Sequence, residues 1–326
     1  MGDAMTAREA HAGARNYHLM HATTYTYPKP VTSSYGRALL LPRTVGGQTC
    51  HWSELSTDPG PAEVGEHRDF NGNRSSYFAV ADEHTTLRVV AESLLTVNRR
   101  PWHTDRIPPT PWETVVHTAR SMRSSGDLEQ PDHTASVVSV TDGALGSPMV
   151  GLTDAAQEYA RPSFAPGRPI GHVIRDLTER IYTDFTYRAG ATTVTTGLEE
   201  FLERRVGVCQ DFAHVLVACA RSMGLAARYV SGYIETHPPA GEPKLRGVDA
   251  SHAWASVWVP HGGWVQTDPT NNQFVDNRYV LLGWGRDYRD VAPLHGIVFT
   301  EGDGSTLSVE VDLTEMDADA LASFRR

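Results

Sequence analysis

The stretch Gly207-Val208-Cys209-Gln210-Asp211-Phe212-Ala213-His214-Val215-Leu216 sets a cysteine directly after a glycine turn, at the first turn of an apolar helix. A free cysteine is usually a packing residue, among the most buried of all types. This one is placed differently. A thiol at a helix N-terminus faces unpaired backbone N–H groups and the positive end of the helix dipole, and both favour the thiolate, its reactive form. The helix is expected to stop at Gly224, whose missing side chain suits a C-terminus. Cys219, between Ala218 and Ala220 in mid-helix, and Cys50 have no such help and read as packing residues.

Upstream of this helix, Ile170, Val173, Ile174, Leu177, Ile181 and Phe185 recur at three- and four-residue spacing, an amphipathic helix. Downstream, Ala226 to Glu235, Ser251 to Val259 and Gly263 to Asp268 read as strands. Helices followed by antiparallel strands make an α+β domain. Within Ser251–Val259 the residues alternate: Ala253, Ala255, Val257 and Val259 form a small apolar face for packing on a helix. His252, Trp254, Ser256 and Trp258 take the other face, where the tryptophans are expected to wall a cleft.

Whether Asp268 joins His252 depends on the turn Pro260-His261-Gly262-Gly263. A three-residue loop at 260–262, with Gly262 as the left-handed residue, sets Val259 opposite Gly263 and Trp254 opposite Asp268. Asp268 is then a diagonal neighbour of His252, about 7 to 8 Å away between backbones. A loop one residue longer puts the two on opposite faces. A cysteine nucleophile needs a base, and the base an orienting partner. Cys209, His252 and Asp268 are the candidates. Each also has a plain structural reading, as a buried thiol, a strand histidine and a turn residue before Pro269.

At 326 residues the chain is long for one core, so two domains are expected. With 40% hydrophobic and 21% charged residues it reads as an ordinary folded, soluble protein. A net charge of −10 without a basic cluster argues against nucleic acid or an anionic membrane as partner. Three scattered cysteines make no disulfide framework and fit a reducing compartment. Neither a signal-peptide core nor a run of about 18 apolar residues is seen, so a cytoplasmic location is expected.

The chain divides into a disordered N-terminus at 1–16, a β-sandwich domain at 17–98, a mainly helical connector at 99–165 and a core at 166–326. Within the second, Asn71-Gly72 is the strongest short hairpin signal. A further hairpin is expected around Glu301-Gly302-Asp303-Gly304. Zinc is disfavoured, because a five-residue helical step turns Cys209 and His214 apart by about 140°. His214 reads as a core or supporting residue and Asp211 as a first-turn acid suited to the dipole.

Taken together, Gly207–His214, Ala227-Arg228-Tyr229-Val230-Ser231-Gly232-Tyr233, Ser251-His252-Ala253-Trp254 and Asp268-Pro269-Thr270-Asn271 resemble the transglutaminase-like superfamily. More narrowly, with Leu41-Pro42-Arg43, Asp69-Phe70-Asn71-Gly72-Asn73 and Gly285-Arg286-Asp287-Tyr288, the chain resembles its bacterial branch. The resemblance implies a papain-like core with a nucleophile-bearing helix and an antiparallel sheet, behind an N-terminal β-sandwich. It also implies a catalytic triad of Cys209, His252 and Asp268, acting through a thioester on amide groups of a peptide or protein, without cofactor or metal. Gln210-Asp211 follows the cysteine where animal transglutaminases have tryptophan, so their cross-linking activity is not carried over. The expected function is a peptidase, amidase or specialised transferase. The alternative is a non-catalytic binding module with a relic core.

Overall fold

The computed structural model describes residues 13–125, 136–192, 196–236, 251–302 and 304–324; the first twelve residues of the expected disordered N-terminus lie outside them. The fold is α+β. Its first part is built on one long strand, β1 (Arg15–Ala38), followed by β2 (Gln48–Asp58), β3 (Glu63–Arg68), β4 (Arg74–Val80) and β5 (His84–Val97). β1 pairs β5 along its first half and β4 along its second. The register with β5 shifts between Thr26 and Val31, where Pro28 and Pro30 withhold ladder donors. The two halves share a core of Tyr27, Val31, Phe78, Val80, Leu87 and Val89. β3 and β4 form the hairpin that Asn71-Gly72 signals, with Gly72 at φ +71°.

The connector carries helices α1 (Trp112–Ser125), α2 (Val137–Asp142) and α3 (Asp154–Ala160). The core follows with α4 (Ile170–Asp184), β6 (Thr186–Tyr187), α5 (Leu198–Arg204), β7 (Val206–Gly207) and α6 (Cys209–Ser222). A five-stranded antiparallel sheet then runs in the order β11-β10-β9-β8-β12, from β8 (Ala227–Ile234), β9 (Ser251–Val259), β10 (Gly263–Asp268), β11 (Gln273–Phe274) and β12 (Tyr279–Gly285). The apolar stripe of α4 is buried, and α6 is buried nearly all round between helices and sheet. α6 ends as expected: Gly224 takes φ +88°, Gly224 N–H donates to Arg221 O and Leu225 N–H to Ala220 O, a Schellman stop.

One expectation fails. β13 (Leu294–Thr300) and β14 (Thr306–Met316) are not a hairpin. Both pair β1, β13 over Val31–Ala38 and β14 over Asn16–Thr26, so together they form one interrupted antiparallel companion to that strand. The short helix α7 (Ala318–Phe324) follows. The N-terminal sheet packs on the core sheet through Tyr17, Leu19, Leu95, Tyr233, Val280 and Leu313. Among the described residues no helix is long and apolar enough to cross a membrane.

Candidate active site

The start of α6 is fixed by its neighbours. A Cβ on Gly207 would lie 2.4 Å from Asp211 Oδ2 and 2.5 Å from the Phe201 ring, so only glycine fits. The space goes to the Asp211 carboxylate, which accepts from Val208 N–H at 2.8 Å and Thr192 Oγ1 at 2.6 Å. Burial raises the Asp211 pKa, and these hydrogen bonds act against the rise. Cys209, the first residue of the helix, is half-buried beside Ala213, Tyr229, Ala253 and Val291, with Tyr288 packed on the same cluster. Its own N–H belongs to the first turn and has no intrahelical acceptor. Cys219 is fully buried, and burial pushes its thiol up to about 12. The Cys50 thiol is also pushed up by burial, with Ser53 and Arg74 opposing.

β9 and β10 meet in the expected register, Val259 opposite Gly263 and Ala255 opposite Thr267. The reason differs in one residue: His261 (φ +60°) and Gly263 (φ +73°) take the left-handed conformation, and Gly262 does not. The consequence is the expected one. His252, the second residue of β9, places Nε2 at 2.7 Å from Asp268 Oδ2. Asn271 Nδ2 lies 3.3 Å from the same Nε2, and Cys209 is near enough to favour the charged form of the ring. The tryptophans do not wall a cleft. Trp254 and Trp258 are 0% and 3% exposed, and Trp254 packs edge-on to Tyr279 at 5.3 Å.

Asp268 has no solvent exposure, yet five groups donate to it. Oδ1 accepts from the N–H groups of Thr270 (2.8 Å) and Asn271 (3.3 Å). Oδ2 accepts from Asn271 Nδ2 and Tyr279 Oη, both at 2.7 Å, in addition to His252. Burial works to raise the Asp268 pKa, but the charge and hydrogen bond of His252 with those of Asn271 and Tyr279 prevail and hold it below the usual value. For His252, burial disfavours the charged form, and the Asp268 carboxylate, with Cys209 adding to it, outweighs burial and raises the imidazole to about 10. The imidazole thus lies against a buried carboxylate, and that carboxylate together with Cys209, at the first turn of α6, favours its charged form.

His214 supports rather than joins this group. Burial lowers it to about 4, so its neutral Nε2 accepts the N–H of Tyr288 at 3.2 Å while its ring lies against Tyr229. Tyr279 is the site residue that sequence reading missed. Asn271 and Tyr288 lay inside quoted motifs without an assigned role.

A family model described as transglutaminase-like superfamily matches residues 157–269, and one described as bacterial transglutaminase-like N-terminal region matches 17–96. An uncharacterized protein of Mycobacterium tuberculosis (strain ATCC 25618 / H37Rv) is 46% identical over 316 residues, 95% of this chain and 96% of that one. A Pseudomonas aeruginosa protein named protein-glutamine gamma-glutamyltransferase is 36% identical over 81 residues, 24% of this chain and 12% of its own. Among solved structures, a candidate cysteine protease from Cytophaga hutchinsonii shares the fold, with TM-score 0.71 over 94% of this chain and 92% of that one, at 20% identity.

Proposed function

Because the chain belongs to the bacterial transglutaminase-like family, we propose that it is a cysteine-dependent acyl-transfer enzyme acting on amide groups of a peptide or protein, with Cys209, His252 and Asp268 as its catalytic triad. The observation that carries this reading is the 2.7 Å hydrogen bond between two buried residues, His252 and Asp268, with the helix-N-terminal Cys209 near enough to favour the imidazolium. The Cys209 thiolate attacks the carbonyl carbon, and the Cys209 N–H at the helix start donates to the oxyanion. His252 gives its proton to the leaving amine as the tetrahedral intermediate collapses to a thioester. Asp268 holds the imidazole ring in place throughout. Acylation consumes the thiolate and with it part of what retains the proton on His252. The imidazole is thereby a better base in the second half-reaction, when it activates water or an incoming amine.

A peptide-amide library incubated with the full chain, with and without an added primary amine, tests this. Release of ammonia or amine that is lost in Cys209→Ala supports the reading, and amine incorporation against hydrolysis separates transferase from amidase. Equal turnover by wild type and Cys209→Ala refutes it. The name of the Pseudomonas relative makes glutamine carboxamides the first acyl donors to include.

A further inference from the structure

A groove of ≈ 620 Å³ runs between the 148–153 loop, the start of α5 and the Tyr288–Asp290 turn. Tyr288 belongs to both places: it lines this groove and packs on the cluster around Cys209. The groove and the cluster that holds the thiol thus share Tyr288 as a common wall. A second cavity, of ≈ 590 Å³, lies at Ser222–Gly224 at the other end of α6, about 20 Å from Cys209 by helical rise, and has no such continuity.

The lining has a consistent chemistry. Pro148, Met149, Leu198 and Tyr288 supply apolar surface, and the titratable side chains, Glu199, Arg289 and His295, are all exposed. The two opposed loops are held in place. Met149 N–H donates to Asp287 Oδ2 at 3.0 Å, tying one loop to the other. Arg221, 2% exposed, donates to Gly143 O (3.0 Å), Ser147 Oγ (3.3 Å) and Arg286 O (2.8 Å), so one buried guanidinium anchors both. His214 fixes Tyr288 from below. A site with fixed, largely apolar walls, whose other polar lining is the neutral Thr153 and Thr196, selects by shape and apolar area.

We infer that this groove is the acyl-donor subsite, and that the substrate is a peptide carrying a large apolar or aromatic side chain within a residue or two of the amide attacked. The inference rests on Cys209 being the nucleophile. The groove exceeds a single side chain in volume, so it also accommodates the backbone leading to the scissile group. Opposite charges, from the exposed Glu199 and Arg289, suit the polar backbone of such a peptide better than a strongly charged side chain.

Peptide amides differing only at the residue before the reactive amide (Phe, Leu, Ala, Lys, Glu) test this. The expected kcat/KM for Phe and Leu exceeds that for Ala, Lys and Glu by roughly tenfold or more. Leu198→Trp and Met149→Trp, which fill the groove, remove that preference. They leave alkylation of Cys209 by iodoacetamide within about twofold, because the small reagent needs no subsite. A wild-type enzyme active on all five peptides alike overturns the subsite and spares the nucleophile. If no peptide is turned over, the acyl-transfer reading falls, and binding decides the groove: the Met149 methyl resonance in Cys209→Ala shifts with the Phe peptide and not with the Ala peptide. No shift with either overturns the subsite as well.

Discussion

Replacing Asp268 by Asn keeps the shape of the side chain and removes its charge and half of its acceptor capacity. All five contacts of the carboxylate are acceptances, two at Oδ1 and three at Oδ2. An amide group, whichever way it is flipped, turns its NH2 toward donors. With its NH2 at the Oδ1 position it faces two donors, the N–H groups of Thr270 and Asn271; at the Oδ2 position it faces one obligate donor, Asn271 Nδ2, because the Tyr279 hydroxyl and a neutral His252 can accept. At ~1–3 kcal/mol for each unsatisfied group, the variant loses about 1–6 kcal/mol of stability. The second effect is electrostatic. His252 is held at about 10 against an ordinary 6.5, with burial pulling the other way. Without Asp268 burial remains, so the imidazole falls back toward or below its ordinary value, a change on the order of 5 kcal/mol in the preference for the charged form.

Histidine NMR with the His252 signal assigned by His252→Ala reads this directly. Wild-type His252 stays protonated through neutral pH, and in Asp268→Asn it deprotonates near or below neutrality. The sign of the stability change follows. His252 is raised, so its contribution is full below about 6.5 and is lost as pH climbs toward 10; Asp268 is lowered, so its contribution is full above about 4 and is lost on further acidification. The stability gap between wild type and variant is thus widest between about pH 4 and 6.5 and narrows toward pH 10. A His252 midpoint unchanged by Asp268→Asn would refute the reasoning.

Iodoacetamide at neutral pH is expected to label Cys209 before Cys50 and Cys219, as read by peptide mass spectrometry; Cys219 labelled first removes the nucleophile assignment. One residue inserted after Gly262 is expected to turn Asp268 away from His252 and abolish turnover while circular dichroism stays native, and an active insertion variant contradicts the register argument. Tyr279→Phe removes one donor from Asp268, and a loss of about 1 kcal/mol in denaturant titration is expected with a reduced kcat. A variant with unchanged stability and kcat shows that the hydroxyl is dispensable.

What was legible in the sequence were local facts. The turn before Cys209, the apolar spacing of α4, and the loop length that pairs Val259 with Gly263 are written in neighbouring residues. Misassigning the left-handed residue to Gly262 cost nothing, because loop length rather than glycine identity sets the register. The remainder is long-range. Local pattern reports that Leu294–Thr300 and Thr306–Met316 are extended, but not that a 24-residue β1 pairs with both. Alternation placed Trp254 on one face of β9, and what covers that face, Tyr279, Leu281 and Val45, comes from elsewhere in the chain. The same holds for Tyr279 as a donor to Asp268, since it arrives from β12, beyond β8 in the sheet.

That strand also gives the N-terminal sheet a structural link to the candidate site. β12 is the sheet edge, and an unpaired edge exposes a row of N–H and C=O groups. Here two carboxamides from the N-terminal sheet serve as the missing neighbour. Gln48 Nε2 donates to Leu281 O at 2.7 Å and its Oε1 accepts from Leu281 N–H at 2.8 Å. Asn73 does the same for Trp284, at 2.8 and 3.0 Å, and a Cβ on Gly283 would lie 2.7 Å from its Oδ1. Arg99 joins the two parts, donating to Gln48 Oε1 at 2.8 Å and to Tyr279 O. Tyr279 is the first residue of β12, and its hydroxyl reaches Asp268. The contacts run unbroken from Gln48 through Arg99, Tyr279 and Asp268 to His252. The N-terminal sheet thus closes the open edge of the core and, through Tyr279, helps to place the carboxylate that holds the imidazole.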